Sequence, residues 1–144
     1  MLDVQRATSI PIAAGERLKS RLEAHEYLER QAIRVYQPDV ARIGGVTEFR
    51  KVAAIAETHF IPVAPHNPNG PVCLAAHLHL SAALPNFLIF EEGNTNPVLN
   101  RELFGAWQDS RAYFLAPERP GLGLKMTDAF VREHSYPIDT AERE

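Results

Sequence analysis

The chain has 144 residues, of which 45% are hydrophobic and 23% are charged, and its formal net charge at pH 7 is −3. This size and apolar content suit one globular domain with a buried core and exclude wholesale disorder. The small negative charge argues against nucleic acid and anionic membranes as partners, and no run reaches the ~18 apolar residues that a membrane helix needs.

Four short apolar segments, bounded by glycine and proline, predict buried β-strands. They cover residues 9–14, 32–37, 60–64 and 87–90. Pro11 and Pro62 weaken two of these assignments, because proline cannot donate a hydrogen bond to a neighbouring strand.

Helical patterns lie between the predicted strands, with apolar residues recurring at helical spacing. They cover residues 20–29, 47–58 and 71–84. Thr47 is placed to cap the second helix, and Thr127 is placed to cap a last short helix over 127–134. Strands that alternate with helices of this length imply right-handed βαβ units and a parallel sheet.

An ionisable residue follows each predicted strand. These residues are Glu16, Asp39, His66 and Glu91, spaced at about 25 residues. In a parallel α/β array the carboxyl ends of neighbouring strands form one rim, and ligands bind there. Charged residues also end strands without any function, so the spacing alone leaves both interpretations open.

Three carboxylates and one imidazole on such a rim suit two kinds of chemistry. Carboxylate oxygens are the ligands that Mg²⁺ prefers. A histidine held by an aspartate makes a good general base, because the carboxylate fixes the tautomer and supports the cationic form. Asp39 and His66 follow neighbouring strands, so contact between them is geometrically reasonable. A cation beside a base suits proton abstraction next to a carboxylate, since it stabilises the charge that develops.

Several short motifs, in order along the chain, resemble the carboxyl half of the enolase superfamily. They are Ile10-Pro-Ile-Ala-Ala-Gly-Glu-Arg17, Gln37-Pro-Asp39, Gly44-Gly-Val-Thr-Glu48, Ala64-Pro-His-Asn67 with Gly70-Pro71, and Arg119-Pro-Gly-Leu-Gly123. The resemblance extends over about residues 1–134. It is to the mandelate racemase and muconate lactonizing enzyme branch, and within that branch to sugar-acid dehydratases of the galactonate dehydratase type.

This resemblance implies a role for each residue of the rim. Glu16 would be a carboxylate ligand of Mg²⁺, and Asp39 and His66 would form an Asp–His dyad with His66 as the base or acid. Glu91, rather than Glu92, would hydrogen-bond the substrate carboxylate and the enediolate. The implied activity is Mg²⁺-dependent dehydration of a small sugar acid, by proton abstraction next to its carboxylate.

The resemblance also implies an α/β fold, the carboxyl half of a (β/α)7β TIM-like barrel. A complete barrel needs ~250 residues, so residues 1–93 would hold its last four strands. Residues 94–144 would form an extension that packs on the barrel and ends in a polar tail from Asp139. The family's capping domain and its other metal carboxylates have no counterpart here. We therefore expect weak or absent Mg²⁺ binding and no activity from this chain alone, with a missing amino-terminal half or a homo-oligomer covering the open sheet edges.

Two other functions stay open at this point. One is a racemase, epimerase or cycloisomerase of the same superfamily, since the retained residues are shared among these reactions. The other is a non-catalytic remnant that acts as an association module through its open edges.

The remaining polar residues predict structural roles. Asn67 and Asn69 flank a proline and suit a turn. His77 and His79 are two apart on a helix and face different directions, which does not predict a metal pair. The single cysteine, Cys73, excludes a disulfide framework, and residues 1–8 lack an apolar signal core, so we expect a reduced, cytoplasmic setting.

Overall fold

The computed structural model describes residues 1–93, 96–104 and 114–135. The helices are α1 (Leu2–Arg6), α2 (Arg21–Glu29), α3 (Val46–Thr58), α4 (Pro71–Ala83), α5 (Pro97–Phe104) and α6 (Asp128–His134). The strands are β1 (Ala13–Ala14), β2 (Val35–Tyr36), β3 (His66–Asn67) and β4 (Glu91–Glu92). The four predicted helices are confirmed as α2, α3, α4 and α6, whereas α1 and α5 were not predicted.

The strand segments form a parallel array in chain order. β1 pairs with β2 in parallel, and β3 pairs with β4 in parallel. Single parallel bridges from Tyr36 to Val63 and from Val63 to Phe87 join the segments between these pairs. With a helix after each strand, this is the α/β arrangement expected of the carboxyl half of a barrel.

Pro62 is compatible with the array because it contributes only its carbonyl. The Tyr36 amide donates to Pro62 O at 2.9 Å, and the next residue, Val63, donates to Asn86 O at 2.8 Å. At residue 62 the strand pairing uses the carbonyl oxygen as an acceptor and no amide donor, so proline removes no hydrogen bond there.

The main core lies between the strands and helices α2, α3 and α4. On α3 the buried residues recur at helical spacing and are Phe49, Val52, Ala53 and Ala56, which confirms the predicted apolar face. They pack with Leu28 of α2 and with Tyr36 and Val63 of the strands.

The two predicted helix caps have opposite outcomes. Thr127 accepts a hydrogen bond from the Phe130 amide at 3.2 Å and caps α6, as predicted. The predicted Thr47 cap is wrong, because α3 begins one residue earlier and Gly45 is its N-cap, without a side-chain hydrogen bond. Gly45 has a φ of +88°, a backbone conformation that favours glycine.

A second apolar cluster lies on the other side of α4. Leu103 and Phe104 of α5 pack there against Leu74, Ala75 and Leu78. The division of the chain at residue 93 stays a prediction, and the polar tail from Asp139 lies outside the described residues. Among the residues that are described, none of the helices is long and apolar enough to cross a bilayer.

Candidate active site

The rim brings His66 and Glu91 together. The two residues are directly opposite in the parallel pairing of β3 and β4, so their side chains leave the same face of the sheet. Nδ1 of His66 lies 2.7 Å from Oε2 of Glu91. Gln37 Nε2 donates to the same carboxylate oxygen at 3.4 Å. Three consecutive segments of the array thus meet at one carboxylate.

The Glu91 contact decides which ring nitrogen of neutral His66 carries the proton. An ionised carboxylate can only accept, so Nδ1 is the donor and Nε2 holds the lone pair. None of the described residues hydrogen-bonds Nε2 of His66. The side chain of His66 is 24% exposed and that of Glu91 is 45% exposed. This nitrogen is therefore available to a ligand on the rim.

Asp39 follows β2 but lies inside the protein, with 1% of its surface exposed. Nδ2 of Asn69 lies 3.1 Å from Oδ1 and 3.0 Å from Oδ2, and the Ala41 amide donates to Oδ1 at 2.9 Å. Nε of Arg42, which is half exposed, lies 3.6 Å from Oδ2. Both carboxylate oxygens of Asp39 are thus engaged by its own turn and by the loop before α4.

The expected hydrogen bond between Asp39 and His66 is not formed. Asn69 occupies both oxygens of Asp39, and the register of β3 and β4 presents Glu91, rather than Asp39, to the imidazole. Glu91 therefore makes the contact that the sequence assigned to Asp39. The catalytic roles that the resemblance implies for these residues stay predictions.

Glu16 lies just after β1 and is half-buried. Its carboxylate accepts from the neighbouring Gly15 amide at 3.2 Å. Gly15 has a φ of +132°, and a Cβ there would lie 2.5 Å from the Tyr36 ring, so the turn that presents Glu16 requires glycine.

The residues around Glu16 do not complete a magnesium site by themselves. Its carboxylate is the right type of ligand for Mg²⁺. Within the described ranges, however, Glu16 belongs to no group of three acidic, histidine or cysteine side chains close enough to share an ion. One carboxylate holds Mg²⁺ poorly against water, so a magnesium ion at Glu16 would need ligands from outside the described residues.

Asp39, Cys73 and His77 do bring three ligand-type atoms within 4.8 Å of one another. His77 Nε2 accepts from the Val40 amide at 3.0 Å, and Nδ1 lies 3.2 Å from Asn67 Oδ1, so both ring nitrogens are engaged. Burial, with the Asp39 charge adding to it, raises the pKa of the Cys73 thiol to about 11, so the thiolate that a metal needs is disfavoured. We therefore interpret this group as a hydrogen-bonded cluster rather than a metal centre.

Sequence reasoning assigned Asn69 to a turn and gave His77 no partner, and it therefore missed this cluster. The signal was present in the spacing: Asn69, Cys73 and His77 are four residues apart. Such spacing places side chains on one face of α4 and of the turn that leads into it. Asn69 Nδ2 lies 3.5 Å from Cys73 Sγ, and Sγ lies 3.8 Å from His77 Nδ1, as this spacing allows.

Comparison with known proteins gives one family. Residues 1–130 match the model of the family described as enolase C-terminal domain-like. The match includes every residue of the rim and of the buried cluster.

Among curated proteins, the chain is 39% identical to D-galactonate dehydratase from Verminephrobacter eiseniae, over 89% of this chain and 35% of the relative. It is 34% identical to D-xylonate dehydratase from Haloferax volcanii, over 95% of this chain and 34% of the relative. Among solved structures, a mandelate racemase/muconate lactonizing enzyme from Sulfitobacter superposes with a TM-score of 0.85 at 36% identity, over 96% of this chain and 35% of that chain. The chain thus spans about a third of the length of the relatives that it matches.

Proposed function

Because this chain belongs to the enolase C-terminal domain-like family, we propose that it provides the acid–base residue of a sugar-acid dehydratase, and that this residue is His66. The observation that carries the proposal is the geometry of the imidazole. Glu91 fixes its Nδ1–H tautomer, and Nε2 has no hydrogen-bond partner among the described residues. The names of the relatives, which are dehydratases of galactonate and xylonate, support the substrate class.

The proposed reaction removes water from a hydroxy acid. Nε2 of His66 takes the proton from the carbon next to the substrate carboxylate, and the electrons of that C–H bond move into the substrate. Those electrons form a double bond to the following carbon as hydroxide leaves from it, and a second acid, which would come from the part of the relatives that this chain does not cover, protonates the hydroxide to water. The product carries the 2-hydroxyl on the double bond and is therefore an enol, which tautomerises to a 2-keto acid. Glu91 supports the imidazolium that forms on His66, since a carboxylate at 2.7 Å favours the charged ring.

Mg²⁺ is the cofactor we propose for the complete enzyme. Glu16 would supply one carboxylate ligand, and the other ligands would come from the part of the relatives that this chain does not cover. When bound, the cation would stabilise negative charge on the substrate carboxylate. Since Glu16 belongs to no group of three ligand-type side chains among the described residues, we propose that the 144-residue chain is inactive by itself.

A chimaera tests the proposal directly. This chain replaces the matching segment of the Verminephrobacter eiseniae D-galactonate dehydratase, and formation of 2-keto acid from galactonate or xylonate is measured with Mg²⁺ present. We expect the chimaera to be active and the His66→Asn variant to lose activity by roughly 10²-fold or more. His25→Asn, an exposed histidine of α2, is the matched control and should retain activity.

Three results would contradict the proposal. Full activity in the His66→Asn chimaera would remove the role given to His66. Equal activity in the isolated 144-residue chain would show that it needs no further ligands or residues. Exchange of the substrate proton with solvent deuterium, without loss of water, would favour a racemase or epimerase in place of a dehydratase.

A further inference from the structure

We propose that His77 is a positioning residue, which holds the turn 38–40 against the segment that begins with β3 and carries His66. The side chain of His77 is fully buried and reaches from α4 to the backbone of Val40. The consequence for catalysis rests on the proposed function, whereas the geometry of the contact does not.

Three consecutive residues of this turn are tied to the segment that begins with β3. The carbonyl of Pro38 accepts from the His66 amide at 3.1 Å. The carboxylate of Asp39 accepts from Asn69. The Val40 amide donates to His77 Nε2 at 3.0 Å, which completes the series. A displacement of Val40 would therefore move the carbonyl that holds the backbone of His66.

The tautomer of His77 is fixed by the protein backbone. An amide N–H can only donate, so Nε2 of His77 must hold a lone pair and Nδ1 must carry the hydrogen. Nδ1 then donates to Oδ1 of Asn67, a buried residue of β3 next to His66. Only the neutral imidazole can make both hydrogen bonds, because the imidazolium has no acceptor for Val40.

Packing alone does not account for a histidine at this position. The ring of His77 contacts the rings of Phe49 and Phe90, with centroids 5.6 and 6.0 Å away. A phenylalanine would keep these aromatic contacts and lose both hydrogen bonds. Glutamine could keep an acceptor for Val40, so the two substitutions separate the polar role of His77 from its packing role.

Nuclear magnetic resonance on the 144-residue chain tests the geometry without any assay of activity. Two-bond ¹H–¹⁵N correlations of the histidine rings should show His77 as the neutral Nδ1–H tautomer at neutral pH. Amide hydrogen exchange should accelerate at both Val40 and His66 in His77→Phe, and less so in His77→Gln. An Nε2–H tautomer, an imidazolium at neutral pH, or unchanged exchange at His66 would overturn the proposal.

Kinetics in the chimaera test the catalytic consequence. We expect His77→Phe to lower kcat by about 100-fold, the scale of a misplacement of reacting groups by about 1 Å, with a smaller change in KM and with most of kcat restored in His77→Gln. Leu78→Ala is the matched control, since Leu78 is buried on the side of α4 that faces α5 and its loss destabilises the fold without touching the turn.

The outcomes of the two experiments are separable. An equal loss of kcat in Leu78→Ala and His77→Phe would overturn the positioning role and leave His77 as a stability residue. A chimaera without any dehydratase activity would count against the proposed function, while the tautomer and the hydrogen exchange would still decide whether His77 holds the turn.

Discussion

Two assemblies of a carboxylate and a histidine lie in the described part of the chain, and they differ in how many of their hydrogen-bonding groups are engaged. In the buried cluster of Asp39, Asn69 and His77, both oxygens of the carboxylate and both nitrogens of the imidazole are engaged. In the rim pair of His66 and Glu91, the described residues engage Nδ1 of the imidazole and not Nε2, and both side chains are partly exposed. In the buried cluster, where the carboxylate oxygens and the ring nitrogens are all engaged, the carboxylate and the imidazole stabilise the fold. On the rim, where a ring nitrogen has no partner among the described residues, the same residue types can take part in chemistry.

The pH dependence of stability should show the largest difference between the two assemblies. Burial lowers the pKa of His77 from 6.5 to about 4, with the nearby Asp39 charge opposing this shift and His66 adding to it. As the pH falls below about 6.5, the unfolded chain takes up a proton at this residue and the folded chain does not. Stability is therefore present above pH 6.5 and is lost progressively down to about pH 4, by about 3 kcal/mol in total.

Urea unfolding of the 144-residue chain between neutral pH and pH 4 measures this loss. His77→Gln removes the titrating group, so the difference in unfolding free energy between the two proteins should change with pH over this window. If the difference in unfolding free energy between the parent and His77→Gln stayed constant with pH, burial would not keep His77 neutral. The buried cluster would then not differ from the rim pair in this property.

The next largest effect should come from removing the amide that holds Asp39. Asn69→Leu leaves a buried carboxylate with the Ala41 amide and the half-exposed Arg42 as its remaining partners. Hydrogen bonds to charged groups contribute about 1.5–3 kcal/mol, so we expect unfolding to become easier by about 2 kcal/mol in urea at neutral pH. Glu57→Leu is a control at an exposed polar position of α3, and a loss there as large as at Asn69 would contradict the buried-cluster interpretation.

Most helices and the first two strands could be predicted because their signals are local. The predicted strands 60–64 and 87–90 are wrong in their bounds: they contribute single bridges at Val63 and Phe87, and β3 and β4 begin just after them. Apolar spacing located α3, and the regular series of ionisable residues located the rim, although His66 and Glu91 lie within β3 and β4 rather than after them.

The start of α5 also has a local sequence signal, the dipeptide Asn96-Pro97. Pro97 is the first residue of α5, and Asn96 Oδ1 accepts from the Val98 amide at 2.9 Å. An asparagine cap followed by proline is a typical start of a helix.

The partner of His66 could not be predicted, because two acids lie one strand away on either side. Asp39 follows the strand before His66 and Glu91 follows the strand after it, and the sequence does not give the register that chooses between them. In the structure the choice depends on the direct pairing of His66 with Glu91 and on Asn69, which engages Asp39. Both are tertiary facts that no local pattern contains.

A smaller effect on the unfolding free energy is expected from replacing Arg42, which contacts the buried cluster from the protein surface. Arg42 approaches Asp39 from the side open to solvent, and its side chain is 52% exposed. Exposed ion pairs contribute about 0.2–1 kcal/mol. Because the Asp39 carboxylate is buried and the Arg42 guanidinium is half exposed, Arg42→Ala should lower the unfolding free energy by about 1 kcal/mol, the upper end of this range, and less so in high salt. A loss as large as that in Asn69→Leu would mean that the Asp39 carboxylate depends on charge pairing more than on its hydrogen bonds.

The smallest effect on stability should come from the rim itself. Glu91→Gln keeps an oxygen that can accept from His66 Nδ1 and removes the negative charge that supports an imidazolium. Because the Glu91 side chain is 45% exposed, water compensates most of the change, and the unfolding free energy should shift by less than about 0.5 kcal/mol.

Although Glu91→Gln should change stability little, it should change activity strongly. This variant therefore gives the clearest test of the difference between the rim pair and the buried cluster. In the chimaera we expect Glu91→Gln to lower kcat by roughly 10²-fold, because proton abstraction forms a cation at His66 that no longer has a carboxylate partner. Glu92→Gln is the matched control at the adjacent position and should leave kcat close to that of the parent. If Glu91→Gln destabilised the fold as strongly as Asn69→Leu while kcat stayed unchanged, the rim pair would be a structural contact and the two assemblies would not differ in kind.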